Sequence, residues 1–329
     1  MEGFIVGIIN KLRKKFEYRD CFHKDDDCTI NISNSHSLSK KRILSNIADN
    51  GQVLCFDRND KLPKKVGYGK ATTFKGFCKK HDAMLFEIID NHNYEPGNKK
   101  QEFLFAYRAL AKIYNDKIFR KNIVEYIYKL LINRNYDELK QFCDSGNITN
   151  NLDEVTQYVS LELQGIDIGV RFLENLKVAM NVNLDKEKYY TIQTYVIELD
   201  KEYPIASSSG ITLDRDLNGL FINDYASPLK PVYLTLFPQI NRTYILLSYH
   251  QEHKNTFRFI EGQILRRSLN EQKAIISNIV ACYVDNFVFS PTYWDNYQQK
   301  DLFIELFKKY INDRPNSLLP NKYLNMFWG

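Results

Sequence analysis

Cysteine is scarce in this sequence, and the few cysteines are spread over most of its length. The 329 residues contain Cys21, Cys28, Cys55, Cys78, Cys143 and Cys282. Small secreted domains that depend on disulfides concentrate many cysteines in a short chain, so this distribution excludes a disulfide framework. We therefore expect a reducing, cytoplasmic environment, in which cysteines serve packing or metal binding.

Long apolar runs are also missing. A membrane-spanning helix needs about 18–20 consecutive apolar residues, and the chain contains no such run. Its opening apolar stretch is interrupted by Asn10 and followed by Lys11, Arg13, Lys14 and Lys15, without a small-residue cleavage site. That is not the pattern of a secretory signal. The sequence predicts no transmembrane segment.

The composition is that of a folded protein, with 44% hydrophobic and 26% charged residues. The chain is long enough for two domains. Its formal charge of +5 is unevenly distributed, with 19 Lys and Arg against 13 Asp and Glu over residues 1–100 and 26 against 27 beyond them. A nucleic acid would be attracted first to this N-terminal third, although an ordinary solvated face would give the same count.

Residues 2–16, "EGFIVGIINKLRKKF", place apolar side chains on one helical face and the charges on the other. Such a helix can lie on a membrane surface, or it can pack on the body of the protein or on a partner. The sequence leaves these alternatives open.

Beyond this helix the pattern predicts an α+β fold with a boundary at the linker "YEPGNKK" (94–100). Residues 1–95 form the N-terminal helix and a metal-stapled module. Residues 96–329 form a helical region (100–182), followed by a mainly antiparallel sheet with C-terminal helices (187–329). Helices should outweigh strands.

The elements of the second part follow from periodicity. We predict helices over Gln101–Tyr114, Ile118–Asn133, Tyr136–Asp144, Leu152–Met180, Asn270–Phe287 and Asp301–Ile311. Four runs rich in β-branched and aromatic residues predict strands: "KYYTIQTYVIEL", "PVYLTLFP", "TYILLSYH" and "TFRFIEG". In the first part, "QVLCFD" alternates as a strand does, and a helix is expected near Phe77–Asp90.

The stretches "DCFHKDDDC" and "GFCKKHD" contain a candidate metal site. Cys21 and Cys28 from a loop, with Cys78 and His81 from the first turn of a helix, would give a tetrahedral Cys₃His zinc site. Residues three apart on a helix lie on one face, and thiolate and imidazole ligands favour zinc over magnesium or calcium. His23 could replace either loop cysteine, and buried free cysteines remain the alternative.

The order of these residues resembles the zinc-stapled variants of HNH, or ββα-metal, nucleases. The resemblance implies that His36, between the two ligand pairs, is a general base, and that Asp82, next to His81, stands where the family has a ligand of the catalytic metal. Mg²⁺ or Mn²⁺ would suit that carboxylate. The chain departs from the family at Ser35, where an acid is usual, and the middle asparagine is unassigned among Asn46, Asn50 and Asn59. Alternatively, His36 anchors the following helix.

A second resemblance covers roughly residues 34–291. "SHSLSKKRILSNIADNGQVLCFDRND" is similar to the opening of an uncharacterised bacterial domain family, in which a histidine is followed by a proline, a leucine, a glycine turn and a strand. The matching positions are His36, Ser39 (for the proline), Ile43, Leu44, Ala48, Gly51 and the strand from Val53 to Phe56-Asp57.

Later motifs of that family resemble "YPIASSSGITL" (203–213), "VYLTLFP" (232–238) and "SLNEQKAIISNIVACYVDNFVFSP" (268–291). Ser208-Ser209 stand where the family has Ser-Asp. The resemblance implies helices with a β-sheet and genes found in mobile or antiphage contexts, and it supplies no activity.

Three further patterns carry weaker predictions. Ile205–Gly210, "IASSSG", could cradle a phosphate but fits a strand-end turn better, because it lacks a lysine and a following helix. His250 and His253 could bind metal but fit an exposed hairpin loop. The lysines of residues 40–41, 64–65 and 79–80, near Tyr68, could meet phosphates or be solvated.

Taken together, these patterns favour a metal-dependent nuclease acting on DNA or RNA, as an effector of bacterial defence with a partner protein. The alternative is a non-catalytic, zinc-stabilised interaction or sensor protein that binds a partner protein or a nucleotide.

Overall fold

The α+β class is confirmed by the computed structural model, which is 49% helix and 18% strand. The structure describes residues 12, 15–56, 62–141, 152–224, 228–310 and 313–328. Helices outweigh strands, as the sequence predicts. None of the helices in these ranges combines the length and the apolar character that a membrane crossing needs.

The helices of the described residues concentrate in the second part of the chain. They are α1 Lys79–Leu85, α2 Glu87–Asp90, α3 Lys99–Ile132, α4 Tyr136–Lys140, α5 Leu152–Asp185, α6 Lys254–Phe259, α7 Leu269–Tyr283, α8 Pro291–Asn296 and α9 Lys300–Lys309. A π-helical turn at Lys40–Leu44 runs into a short α-helical turn at Ser45–Ile47, and a second π-helical stretch, Ile260–Leu265, follows α6.

The strands form one large sheet and one small pair. They are β1 Ser35–His36, β2 Gln52–Phe56, β3 Lys64–Gly67, β4 Thr73–Phe74, β5 Ile192–Leu199, β6 Ile205–Ile211, β7 Val232–Gln239, β8 Arg242–His250 and β9 Phe287–Phe289. The seven-stranded sheet has the order β3-β2-β9-β6-β7-β8-β5, and β1 pairs with β4. Every pairing is antiparallel. Strands β2 and β3 therefore complete a sheet whose other members lie beyond residue 190.

Both faces of this sheet are buried. Successive side chains of a strand point to opposite faces: Leu234 and Leu236 of β7 pack into a core with the C-terminal helices α6 to α9. Tyr233 and Phe237 of the same strand pack into a second core with α3 and the N-terminal module. This two-sided burial explains why β7 is an apolar run rather than an alternating one.

A third core lies between the distal half of α3 and the start of α5. Leu12 is buried in it, and Phe16 packs against it with its ring centroid 4.9 Å from that of Tyr126. These two apolar residues of the predicted amphipathic helix therefore face the body of the protein. Residues 2–11, 13 and 14 of that prediction lie outside the described residues.

Several predicted elements differ from the structure. The two helices expected over residues 101–133 are one helix, α3, because polar Asn115 and Asp116 continue its periodicity without a breaker. The predicted strand "TFRFIEG" is wrong, since residues 254–265 are helical. Its apparent alternation is the helical spacing of Phe257, Ile260 and Ile264, which are all buried.

Candidate metal centre

The four predicted ligands come from two chain segments. Cys21 and Cys28 belong to the loop before β1, whereas Cys78 and His81 flank the first turn of α1. Cys78 is the N-cap of α1, and its Sγ accepts the backbone N–H of His81 at 3.4 Å. A side chain that caps an exposed N–H group in this way fixes where the helix begins.

Backbone hydrogen bonds hold the two segments together. The N–H of Phe22 donates to the carbonyl of Gly76 at 2.7 Å, and the N–H of Ser33 donates to that of Phe77 at 2.8 Å. An isolated antiparallel bridge joins Ile32 to Cys78. The loop that holds the first cysteine pair is thus aligned along the residues that precede α1.

This alignment brings the four side chains together. Nδ1 of His81 lies 3.4 Å from Sγ of Cys21, 3.6 Å from Sγ of Cys28 and 3.4 Å from Sγ of Cys78. All four ligand atoms lie within 4.8 Å of one another, so that the group could hold a metal ion. Cys21, Cys78 and His81 are buried, and Cys28 is half-buried.

Burial and N–H donors act on the ionisation of these ligands. Burial raises the pKa of Cys21 well above its usual range. Burial would also raise the pKa of Cys78, but N–H donation from His81 and Thr29 outweighs it and lowers this pKa to about 7. Burial lowers the pKa of His81, with partial compensation by Asp25. Near neutral pH these effects favour thiolate at Cys78 and neutral imidazole at His81, the forms that bind metal ions.

His23, the predicted substitute for a loop cysteine, lies outside this group of four. Its Nε2 is 3.7 Å from Oδ2 of Asp25 and 3.4 Å from Oδ1 of Asp185, at the end of α5. Asp25 Oδ2 is also 3.3 Å from Nε2 of His81. Sequence reasoning missed Asp25, for which the signal was the run of three aspartates between the loop cysteines.

His36 lies in β1, where it pairs with Thr73 of β4. Its Nε2 is 3.2 Å from the carbonyl oxygen of Gly69. Burial lowers the pKa of His36, and the charges of Lys40 and Arg108 lower it further, against opposing contributions from the Gly69 carbonyl and the Asp82 carboxylate. The lowered pKa favours the neutral ring near pH 7. Whether His36 instead anchors the following helix stays a prediction.

Asp82 lies in the first turn of α1, directly after His81. Its Oδ2 accepts a hydrogen bond from Oγ of Ser33 at 2.8 Å, and its charge acts on His36. Within the part of the chain that the structure describes, neither His36 nor Asp82 belongs to a group of three or more metal-ligating side chains. Their assignment as catalytic residues stays a prediction.

The structure also joins two distant motifs of the bacterial-family resemblance. Asn286, just before β9, donates from Nδ2 to Oγ of Ser37 at 2.6 Å and to the carbonyl of Ser208 at 2.7 Å. Ser207 Oγ donates to the carbonyl of Asn286 at 3.1 Å. The segment beginning with His36 is therefore linked to the serine-rich segment through one asparagine side chain.

The weaker predictions have mixed outcomes. Residues 205–210 lie inside β6 in the middle of the sheet, so the expected strand-end turn is wrong. His250 is buried at the end of β8, not exposed in a hairpin loop, and its Nε2 lies 2.9 Å from the hydroxyl of Tyr233. Cys282 is buried in α7 and Cys55 packs at the edge of a core, which fits a packing role for cysteines outside the candidate metal site, whereas Cys143 lies outside the described residues.

Several basic residues of the N-terminal module lie near His36 and the candidate metal centre. Lys40 Nζ is 5.8 Å from the centre of the Tyr68 ring. Tyr68 directly precedes Gly69, whose carbonyl oxygen contacts His36. Lys79 is exposed at the start of α1, and Lys80 pairs with Asp27 at 3.0 Å.

The fold and the cluster define an α+β protein with a candidate metal centre in its N-terminal part. Comparisons with family models, curated proteins and solved structures give no match. The resemblances to HNH nucleases and to the bacterial domain family therefore stay predictions that depend on the motifs quoted above.

Proposed function

We propose that this chain is a zinc-stapled, metal-dependent nuclease in which His36 acts as general base and Asp82 binds Mg²⁺ or Mn²⁺. The structural ion would be zinc, held by Cys21, Cys28, Cys78 and His81. Phosphodiester hydrolysis of DNA or RNA would take place on the adjacent surface.

The distances within the cluster support zinc. A tetrahedral ion with Zn–S bonds of about 2.3 Å and a Zn–N bond of about 2.05 Å separates sulfur from nitrogen by about 3.6 Å. The three sulfur-to-nitrogen distances from His81 are 3.4, 3.6 and 3.4 Å. The burial of three of the four ligands is typical of a closed, structural site.

The order of elements supports the nuclease comparison. The first cysteine pair is followed by β1, its partner β4 and then α1, with His36 in the first strand and Asp82 in the first turn of the helix. Residues 37–72, with the π-helical turn and strands β2 and β3, form a long insertion between the two strands.

The hydrogen bond of His36 is the single observation that carries the catalytic proposal. A carbonyl oxygen can only accept, so the contact with Gly69 requires the proton of the neutral ring to be on Nε2. The lone pair is then on Nδ1, and the lowered pKa keeps it available at neutral pH. A histidine oriented in this way can accept a proton from a water molecule at Nδ1.

When bound, Mg²⁺ or Mn²⁺ would neutralise the negative charge that develops on the phosphate during hydrolysis. Asp82 offers the oxygen ligand that such ions prefer. Lys40 lies close enough to act on His36 and carries the positive charge that a phosphate backbone requires.

The test is a cleavage assay on the zinc-loaded full chain, with plasmid DNA and single-stranded RNA, in Mg²⁺ or Mn²⁺. We expect cleavage that His36→Ala reduces by about 10²–10⁴-fold and Asp82→Ala also reduces, at unchanged zinc content. The matched control is His92→Ala, because His92 is an exposed histidine paired with Glu87. Equal activity of the His36→Ala and His92→Ala variants would refute the assignment of the base.

A second candidate is a non-catalytic, zinc-stabilised protein that binds a partner protein or a nucleotide. It is favoured by the engagement of Asp82 with Ser33 and by the lack of a third metal-ligating group beside His36 and Asp82 in the described residues. No cleavage with any metal ion, together with intact zinc content and saturable binding of a nucleotide or partner protein, would support this candidate instead. In either case, participation in bacterial defence is a proposal that infection assays can test.

A further inference from the structure

A second group of ligands lies on the far side of the His81 ring. A ring nitrogen of His23, a carboxylate oxygen of Asp25 and a ring nitrogen of His81 lie within 4.8 Å of one another. Asp25 Oδ2 is 3.3 Å from His81 Nε2 and 3.7 Å from His23 Nε2. Because His81 faces the cysteines with Nδ1, its other nitrogen is free for this group.

The hydrogen bonds of Tyr107 determine which nitrogen of His23 has the lone pair. The Tyr107 hydroxyl donates its proton to Oδ1 of Asn181, at 2.5 Å. Because that proton is already used, the contact of 3.2 Å between the hydroxyl and Nδ1 of His23 is one in which Nδ1–H donates to the Tyr107 oxygen. The lone pair of neutral His23 is therefore on Nε2 and points at two carboxylates, those of Asp25 and Asp185. A metal cation placed between this nitrogen and the carboxylates would be attracted by all of them.

The environment of His81 favours a metal ion as that cation. His81 is 0% exposed, and its Nε2 has no aligned hydrogen-bond partner among the described residues, although Asp25 is within ion-pair distance. An unpartnered buried nitrogen is costly. A metal ion between His81, Asp25 and His23 would satisfy it.

We propose that His23, Asp25 and His81 form a second metal site, and that His81 bridges the two ions as an imidazolate. Two nitrogens and one oxygen suit zinc or a similar divalent transition metal ion. A tetrahedral ion separates such ligand atoms by about 3.4 Å, close to the observed 3.3 and 3.7 Å. The ion replaces the proton on Nε2 of His81, which passes to solvent.

This second site differs from the first in being open. Three protein ligands leave a fourth position for water or a ligand, as in catalytic rather than structural zinc sites. The side chains of Asp25 and Asp185 are 42% and 61% exposed, so this position faces solvent. The inference depends on the Cys₃His centre but not on nuclease activity.

The test is a metal count on the full chain after loading with Co²⁺ and removal of the excess. We expect about two ions per chain in the wild type, and about one in Asp25→Asn and in His23→Gln. The thiolate-to-cobalt charge-transfer band reports on the cysteine centre alone and should be unchanged in both variants. The matched control is Asp26→Asn, since Asp26 is exposed on the same loop and belongs to neither ligand group; it should keep two ions.

Other outcomes overturn the proposal. A wild-type chain that holds one ion has no second site, and variants that keep two ions show that these residues do not form it. If Asp25→Asn and His23→Gln lose the charge-transfer band as well, both residues serve only to hold His81 in the first centre.

Discussion

Acid should destabilise this protein through His250, a histidine outside the candidate metal centre. His250 is 5% exposed, and its Nε2 contacts the hydroxyl of Tyr233, which is itself buried. Burial lowers the pKa of His250 to about 4, with a further contribution from His253. In the unfolded chain the same group has a pKa near 6.5.

The size and sign of the effect follow from these two values. Between about pH 4 and 6.5 the unfolded chain binds a proton at His250 that the folded chain does not, so the free energy of unfolding decreases as the pH falls. A difference of about 2.5 pKa units at 1.36 kcal/mol each gives about 3 kcal/mol. The contribution is fully present above pH 6.5 and lost near pH 4. It is a large part of the about 5–15 kcal/mol that stabilises a typical domain.

The assay is urea unfolding of wild type and His250→Gln at several values between pH 4.5 and 7.5. Glutamine cannot take up the proton, so the difference in stability between the two proteins should shrink by about 2–3 kcal/mol as the pH falls. Effects of acid on the metal ligands are common to both proteins and cancel in this difference. The control is His92→Gln, at an exposed histidine, whose difference from wild type should change little with pH. Parallel pH profiles for wild type and His250→Gln would refute the reasoning.

Three further predictions concern the N-terminal module. Cys78→Ser removes one of the four candidate ligands, and we expect it to abolish metal binding at this centre and to cost about 3 kcal/mol or more of stability, measured by metal content and urea unfolding; a variant with full metal content would contradict the site. Asp90→Ala leaves Arg108, 2% exposed and bound to Asp90 at 2.9 and 2.6 Å, without its partner. The Asp90→Ala substitution should lower the free energy of unfolding by about 3 kcal/mol in the same assay. A loss below about 1 kcal/mol would argue that the charge of Arg108 is not buried. If His36 is the base, the midpoint of the acid decline in cleavage should lie below pH 6.5, because burial lowers the pKa of His36; a midpoint above pH 7 would assign the base to another group.

Local spacing explains why half of the metal centre could be predicted. Cys78 and His81 are three residues apart at the start of a helix, and helical geometry alone places them on one face. Their partners Cys21 and Cys28 lie 50 or more residues earlier. They reach Cys78 and His81 only because the backbone of their loop is hydrogen-bonded to residues 76–79, and no local sequence pattern reveals this pairing.

Periodicity failed where one pattern fits two structures. "TFRFIEG" alternates for a few residues as a strand does, yet its buried positions Phe257, Ile260 and Ile264 have helical spacing. Short apolar runs do not distinguish the two. The strand-like "IASSSG" was missed for the opposite reason: its small polar residues resemble a turn, but both neighbours in the sheet, β7 and β9, supply the pairing that makes it a strand.

The sequence by itself determined the α+β class, most of the helices and strands and the Cys78–His81 half of the candidate metal centre, because each depends on residue types at short spacing. Only the tertiary structure decided that β2 and β3 belong to the main sheet and that His23 faces Asp25 and Asp185 rather than the cysteines. The ring of His23 is oriented by Tyr107, a residue 84 positions away. Contacts at that separation follow from how the whole chain packs, and no local preference of the sequence encodes them.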